Sequence, residues 1–182
     1  WDAYRRFIQM YGDVAMGVDH DKFEAIIDKV KAIRGIKDDP ELNVDELKKI
    51  VEEYKKMYKK EKGEDFPQDA KKQMWGAIGA VFGSWMNPRA ITYRKLNNIK
   101  EGTLKGTAVS VMAMVFGNKG NTSGTGVCFS RDPSTGKNEF MGEYLMNAQG
   151  EDVVAGIRTP QKLSQLQKEN PKVYDQLCKI RD

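Results

Sequence analysis

Residues 108–152 read AVSVMAMVFGNKGNTSGTGVCFSRDPSTGKNEFMGEYLMNAQGED. This stretch holds most of the Gly-rich turns of the chain and its clearest strand patterns. Three β runs are expected. The first is Gly106 to Phe116, crowded with β-branched and apolar residues. The second is Gly124 to Ser130, and the third is Glu139 to Asn147. Gly117-Asn118-Lys119-Gly120-Asn121 separates the first two, and Gly and Asn tolerate the positive φ that a turn requires. Asp132-Pro133-Ser134-Thr135-Gly136 separates the last two, with proline's fixed φ and the Asp side chain setting a tight turn. Runs joined so closely should pair antiparallel, as a meander.

Outward from this stretch the pattern is helical. Tyr4, Phe7, Ile8, Tyr11 and Val14 share one face of a first helix, which Gly12 weakens and Gly17 ends. Phe23, Ile26, Ile27, Val30 and Ile33 mark a second, stopped near Gly35, with Pro40 in the linker beyond it. Asn43 and Glu46 form a capping-box pair for a third, whose apolar face is Leu47, Ile50, Val51, Tyr54, Met57 and Tyr58 and whose end is Gly63. A loop from Glu64 to Pro67 leads to a fourth. Its Trp75, Ile78, Phe82 and Trp85 recur at helical spacing, a stripe more often core than a base-stacking platform. Asn87-Pro88 breaks that run, and Arg89 to Leu96 makes a short helix bearing Arg89 and Arg94. Beyond Asp152, Val153 to Ile157 is a short apolar passage. Residues 161–182 are amphipathic and helical, interrupted at Asn170-Pro171.

Composition bounds the rest. The chain has 182 residues, enough for one large domain or two small lobes, with 40% apolar and 31% charged residues. No apolar run approaches the roughly 20 residues of a membrane helix. Residues 1–70 carry 14 Lys/Arg against 17 Asp/Glu, and residues 71–182 carry 16 against 9. The basic second part suits an anionic ligand, an acidic partner or simply a solvated surface. A nucleic-acid binder would need those cations on one contiguous face. Cys128 and Cys178 lie far apart, a usage that fits a reducing, cytoplasmic compartment. Cys128 is expected as a small buried hydrophobe. The single histidine, His20, leaves no His-based triad, zinc site or phosphohistidine within these residues.

The glycines form neither a GxxxxGK[ST] loop nor GxGxxG. Ser123-Gly124-Thr125-Gly126 therefore has two readings. It is a strand entry that lets another backbone approach, or a place where backbone N–H groups and the Thr125 hydroxyl face a phosphate. Ser110 to Phe116, taken alone, reads as an apolar core strand. Glu151 and Asp152, alone, are surface or turn carboxylates.

MVFGNKGNTSGTGVCFSRDPSTG followed by GEYLMNAQGEDVVAGIRTP resembles the nucleotide-binding part of the pyruvate phosphate dikinases, an ATP-grasp fold. The likeness extends upstream through YRRFIQM at 4–10 and NPRAITYR at 87–94, and so covers nearly the whole chain. It implies an adenine-lining hinge at Met112, Met114 and Val115. Many relatives carry Gln where Met112 stands, so a backbone contact is the one expected to persist there. It implies Thr125 at the phosphates, Glu151 and Asp152 near ribose or a magnesium-bound phosphate, and Arg5 or Arg6 near the nucleotide. It implies ATP and Mg²⁺ as ligands of a longer parent. The parent interconverts ATP, phosphate and pyruvate with AMP, pyrophosphate and phosphoenolpyruvate through a phosphohistidine. The partners implied are ATP or AMP, the phosphohistidine carrier domain and pyruvate-binding domain of the same chain, and a second copy in a homodimer, with neither nucleic acid nor membrane. The family's phosphate-holding lysine and arginine would precede Trp1, and its magnesium-binding acidic strand would follow Asp182. The chain is thus expected to be an interior piece, inactive alone.

The expected architecture is α+β: an ATP-grasp-like fragment with a helical subdomain over residues 1–70, then a partial nucleotide-binding region over 71–182 combining an antiparallel sheet with flanking helices. The alternatives are a phosphoenolpyruvate synthase or a glucan/water dikinase, and, from another class, a helical protein-interaction module, which the Lys/Glu-rich third helix favours.

Overall fold

A computed structural model describes every residue except Asp38, Glu101, Ala155 and Ile157, and for Pro40 it describes the backbone alone. The chain divides into two compact units, Trp1–Val111 and Met112–Asp182. The mixture of helices with a small antiparallel sheet is the α+β class expected.

In the first unit, α1 (Asp2–Met10), α2 (His20–Arg34) and α3 (Val44–Lys62) surround one core. Ile8, Phe23, Ile27, Ile50, Val51, Tyr54 and Tyr58 are its fully buried members. These are the positions that a 3.6-residue period selects. Phe23 meets Tyr54 edge-on at 4.9 Å between ring centroids, a favoured aromatic arrangement. Asn43 caps α3 as expected: its side chain accepts from the Asp45 and Glu46 amides, while Glu46 accepts from the Asn43 amide at 2.8 Å. Gly35 and Gly63 end α2 and α3 at φ of 72° and 76°, a region where a Cβ would be strained.

Three expectations fail here for physical reasons. Val14 does not share the core face and is 80% exposed. The chain from Tyr11 to Ala15 is a π-helical turn, closed by Met16 N–H donating to the Tyr11 carbonyl at 3.0 Å. The wider turn rotates its residues off the 3.6-residue face. Ile33 is also exposed, at the last turn of α2. The aromatic stripe of α4 (Ala70–Gly83) is not core: Trp75 is 65% exposed and no residue of α4 is buried. Gly76 explains its attachment, since a Cβ there would collide with the Tyr11 hydroxyl and come within 3.0 Å of Met16 Cε. The helix rests on the π turn along its small residues, leaving the aromatics outward. The short helix α5 (Pro88–Leu96) is present as expected, with the Arg94 guanidinium 4.0 Å over the Trp85 ring.

The titratable groups of this unit give one pH dependence. His20 Nδ1 lies 2.6 Å from Asp13 Oδ2, while Asp13 Oδ1 is buried without a hydrogen-bond partner. The hydrogen bond to Asp13 raises the imidazole pKa, outweighing its slight burial. A raised folded-state pKa stabilises fully below the unfolded value of about 6.5, and the contribution is lost as pH rises through the folded value. The melting temperature of the wild type is therefore expected to exceed that of His20→Gln at pH 5, with the gap closing by pH 9. A gap independent of pH would refute the pairing. The effect is small because His20 is mostly in water.

The second unit is built on a hairpin. β1 (Gly124–Phe129) pairs antiparallel with β2 (Met141–Met146), Gly124 opposite Met146 and Phe129 opposite Met141. α6 (Gly150–Val154) follows, then β3 (Gln161–Lys162) on the outer side of β2, then α7 (Leu163–Glu169) and α8 (Pro171–Arg181). The Asp132 turn forms as read, its carboxylate accepting from Ser134 and Thr135 amides at 2.7 and 3.1 Å. Those amides hold the Asp132 carboxyl below its usual range. Tyr144, Leu163 and Leu166 form a small core, and Asn170 caps α8 at the interruption read from the sequence.

Two expectations fail in this unit. Residues 106–116 have no regular secondary structure and belong to none of the described ladders. Their composition suits a strand, but a strand needs a ladder partner, and among the described strands β1 pairs only with β2, not with this run. The third strand of the sheet is β3. Cys128 is exposed, not a buried hydrophobe, because the residue opposite it is Gly142, which has no side chain to cover it. The apolar passage at 153–157 includes Ala155 and Ile157, which lie outside the described residues.

Candidate functional site

Directly opposed residues of an antiparallel pair share a face. Gly124, Gly126 and Cys128 thus lie on the face of Met146, Tyr144 and Gly142, against which α7 packs. A Cβ on Gly124 would stand 2.8 Å from the Leu145 carbonyl oxygen, and one on Gly126 2.6 Å from that of Glu143. The small residues of this strand admit the backbone of β2 itself, so the strand-entry reading of the SGTG run has a direct structural basis. Thr125, between them, is half-buried and sits opposite the buried Leu145. It lines a cleft of about 260 Å³ with Glu143, Asn170 and the apolar Leu163, Leu166 and Val173.

At the C-terminal end of β2, beside Gly124, the chain turns a corner. Asn147 adopts φ of 48°, the left-handed region. Its N–H donates to the Ser123 carbonyl at 2.7 Å, and its side-chain oxygen accepts from the Gly120 N–H at 3.0 Å. The N–H of the fully buried Ala148 donates to the Gly117 carbonyl at 2.9 Å. Gln149 donates through Nε2 to Asn118 Oδ1 at 3.2 Å, and its backbone N–H to Asp152 Oδ2 at 2.8 Å. Arg158 donates to the carbonyls of Asn147 and Met146 at 3.0 and 3.3 Å. Ser123 Oγ bridges the loop from inside, accepting from the Lys119 N–H at 2.8 Å and lying 2.9 Å from the Gly117 and Gly120 carbonyls. Loop 117–123 and corner 147–152 are one hydrogen-bonded assembly.

The sequence-derived residues fall into three groups. Thr125 lies on β1, and Glu151 and Asp152 lie on α6, which packs against both β1 and β2. Glu151 is exposed, whereas Asp152 is 8% exposed and uses one carboxylate oxygen to hold the Gln149 amide. Met112, Met114 and Val115 lie on the irregular run before the loop, with Met112 82% and Val115 90% exposed. Arg5 and Arg6 belong to the other unit and are buried there. Arg5 donates to Asp2 at 2.6 Å, Asp39 at 3.1 Å and Gln9 at 3.3 Å, and Arg6 to Asp2 at 3.0 Å. Burial pushes the Asp2 carboxyl up, but the two guanidiniums outweigh it and hold the group below its usual range.

Sequence reasoning missed the wiring residues Asn147, Ser123, Gln149 and Arg158. One signal was readable: an Asn directly after a strand accepts a left-handed backbone more readily than other non-glycine residues. Tyr144 was also missed as a polar anchor. Its hydroxyl donates to Glu169 at 2.7 Å, and burial with that carboxylate beside it pushes its pKa up to about 12. Among the described residues no three His, Cys, Asp or Glu side chains gather to hold a metal ion. Among them, too, no helix is long and apolar enough to cross a membrane.

The family model described as pyruvate phosphate dikinase, AMP/ATP-binding domain, matches residues 37–179. The chain is 60% identical over 165 residues to a pyruvate, phosphate dikinase of Rhizobium meliloti (strain 1021), covering 91% of this chain and 18% of that protein. It is 56% identical over 181 residues to that of Clostridium symbiosum, covering 99% of this chain and 20% of the relative. A chloroplastic pyruvate, phosphate dikinase of Mesembryanthemum crystallinum is 54% identical over 183 residues, covering 99% and 19%. The chain spans about a fifth of the length of these relatives.

Proposed function

Because the chain belongs to the pyruvate phosphate dikinase family and covers part of its AMP/ATP-binding domain, we propose that the corner of Thr125, Glu151 and Asp152 is one wall of its nucleotide site. The observation that carries the reading is that α6, which bears the exposed Glu151, packs against β1, which bears Thr125, on a corner hydrogen-bonded to loop 117–123. A nucleotide requires fixed polar groups beside an apolar surface. Glu151 accepts from a ribose hydroxyl or orients a metal-bound phosphate, and Thr125 donates to a phosphate oxygen. Asp152 serves the same wall by holding the α6 turn. Met112, Met114 and Val115 offer backbone groups and apolar surface to adenine, while Arg5 and Arg6, in the helical subdomain of residues 1–70, are engaged by Asp2 and Asp39. Residues 71–182 carry the nucleotide-binding region.

Mg²⁺ enters with the nucleotide. It keeps several waters and takes one or two carboxylates together with substrate phosphates, so a single protein carboxylate such as Glu151 suits it without an all-protein cage. Phosphoryl transfer depends on positioning and on neutralising charge. These residues bind and orient, and the remaining cations and metal ligands come from the rest of the parent. The parent reaction we propose is the dikinase interconversion of ATP, phosphate and pyruvate with AMP, pyrophosphate and phosphoenolpyruvate, in a cytoplasmic homodimer whose phosphohistidine and pyruvate domains belong to the same polypeptide. The family match over residues 37–179 removes the ground for a helical interaction module.

The test is hydrogen exchange of the full-length enzyme carrying this sequence, with and without Mg-ATP. Peptides spanning 110–116, 124–129 and 149–154 are expected to gain protection. ATP binding with protection confined to other segments would sink the assignment.

A further inference from the structure

The proposed site places Glu151 two residues past Gln149 and one before Asp152, and both neighbours are anchored. Asp152 and Gln149 close the first turn of α6 on each other, with Asp152 N–H donating to the Gln149 carbonyl at 3.0 Å and Gln149 N–H to Asp152 Oδ2. That turn is not fixed by the sheet ladder, which ends at Met146. It is tied to loop 117–123 by a clasp in which Asn147 makes two of the four hydrogen bonds, beside the packing of α6 on β1 and β2. Asn147 is also the point where the chain leaves the strand direction, in a backbone conformation that few L-residues tolerate.

We propose that Asn147 is a positioning residue of the nucleotide site, setting where Glu151 stands through its clasp on the Gly117–Ser123 loop. The inference rests on the assignment of Glu151 to the nucleotide wall. Its physical content is that the carboxylate sits on a five-residue helix too short to hold itself in water, so its place depends on what the preceding corner is tied to as well as on the packing of α6 against β1 and β2. Asn147 supplies both requirements of that tie. It supplies a backbone willing to turn at positive φ and an acceptor oxygen for the Gly120 amide. A side chain that meets only one of these leaves the corner either strained or untethered. A misplacement of even about 1 Å in a site that works by orientation costs on the order of a hundredfold in rate when it reaches the reacting atoms, and less in a binding group one step removed.

The experiment uses the full-length enzyme carrying this sequence, with Asn147→Gly, Asn147→Asp and Glu151→Gln. Glycine keeps the left-handed turn and drops the acceptor, and aspartate keeps both. Asn147→Gly is expected to speed hydrogen exchange in residues 117–123 at least tenfold and to raise KM for ATP about tenfold. Its kcat at saturating ATP should stay within about twofold and KM for phosphoenolpyruvate should be unchanged. Asn147→Asp is expected to restore both exchange and KM. Faster loop exchange with an unchanged KM for ATP overturns the positioning role, and unchanged loop exchange overturns the clasp. A KM for ATP that Glu151→Gln leaves unaltered is a different failure, that of the site assignment itself. If Asn147→Gly does not accumulate folded, Ser123→Ala loosens the same loop from inside without altering the strand end. It is expected to raise KM for ATP in the same direction, and no rise overturns the proposal.

Discussion

Arg5→Met is expected to lower the stability of the helical unit by about 3 kcal/mol, the lower end of what removing one partner of a buried ion pair costs. Arg5 is 4% exposed, and its guanidinium holds Asp2 and Asp39 at once, with Gln9 as a third acceptor. Methionine replaces the apolar stem but leaves two carboxylates facing a site without its cation. Lys31 still reaches Asp39 at 3.2 Å, and Arg6 still reaches Asp2. Both carboxylates also keep about a third of their surface in water. These residual contacts set the lower end of the range. Urea unfolding followed through the exchange of α3 amides measures the change, and a loss below about 1 kcal/mol would contradict the ion-pair account. Arg5→Lys should recover only part, because an ammonium cannot bridge two carboxylates and an amide in a fork.

The same network sets an acid limit. The Asp2 carboxyl is lowered on balance, its burial outweighed by Arg5 and Arg6. A depressed folded-state value stabilises fully above the unfolded pKa of about 3.9 and is lost as pH falls through the folded one. In Arg5→Met that part of the acid sensitivity should shrink. The consequence for function is direct. Loss of activity in an Arg5 variant reports a nucleotide contact only if the helical unit remains folded under the assay.

Gly117→Ala is expected to cost about 3 kcal/mol in the second unit. Gly117 does not have a positive φ, so conformation is not the reason. The reason is space: a Cβ would collide with the Ala148 carbonyl oxygen and stand 2.6 Å from that of Gly124. Both obstacles are backbone, so no rotamer relieves them. Overpacking of a tight site costs roughly 1–3 kcal/mol, and displacing Ala148 also loses its hydrogen bond to Gly117, worth about 1 kcal/mol. Gly136→Ala is the control. Gly136 has φ of 71° and open space around it, so only backbone strain of roughly 1 kcal/mol applies. If exchange-detected stability of the β1–β2 ladder falls equally in the two variants, the close-approach argument fails.

Features made by residues near one another in sequence were legible in advance. Asn43 with Glu46 announces the start of α3, Gly35 and Gly63 announce helix ends, and Asp132-Pro133 announces the hairpin turn between β1 and β2. Each is decided by φ preference or by a side chain reaching two or three residues along, and the structure has them all. Residues 106–116 show the opposite case. Their composition is that of a strand, but pairing is a property of two segments, and no described strand takes them as a partner. Val14 shows a third kind of miss, where one widened helical turn moves a correctly spaced residue out of the core.

The candidate site divides in the same way. The sequence by itself determined the family and the α+β class, because motif words and helix or turn signals are local and survive without coordinates. Only the tertiary structure decided that Arg5 is bound between two carboxylates, that Gly124 and Gly126 admit the backbone of β2, and that Asn147 ties the Glu151 corner to a loop 27 residues earlier. Those are contacts between distant segments. Their energy depends on burial and on hydrogen-bond geometry to within a few tenths of an ångström, which no spacing along the chain encodes.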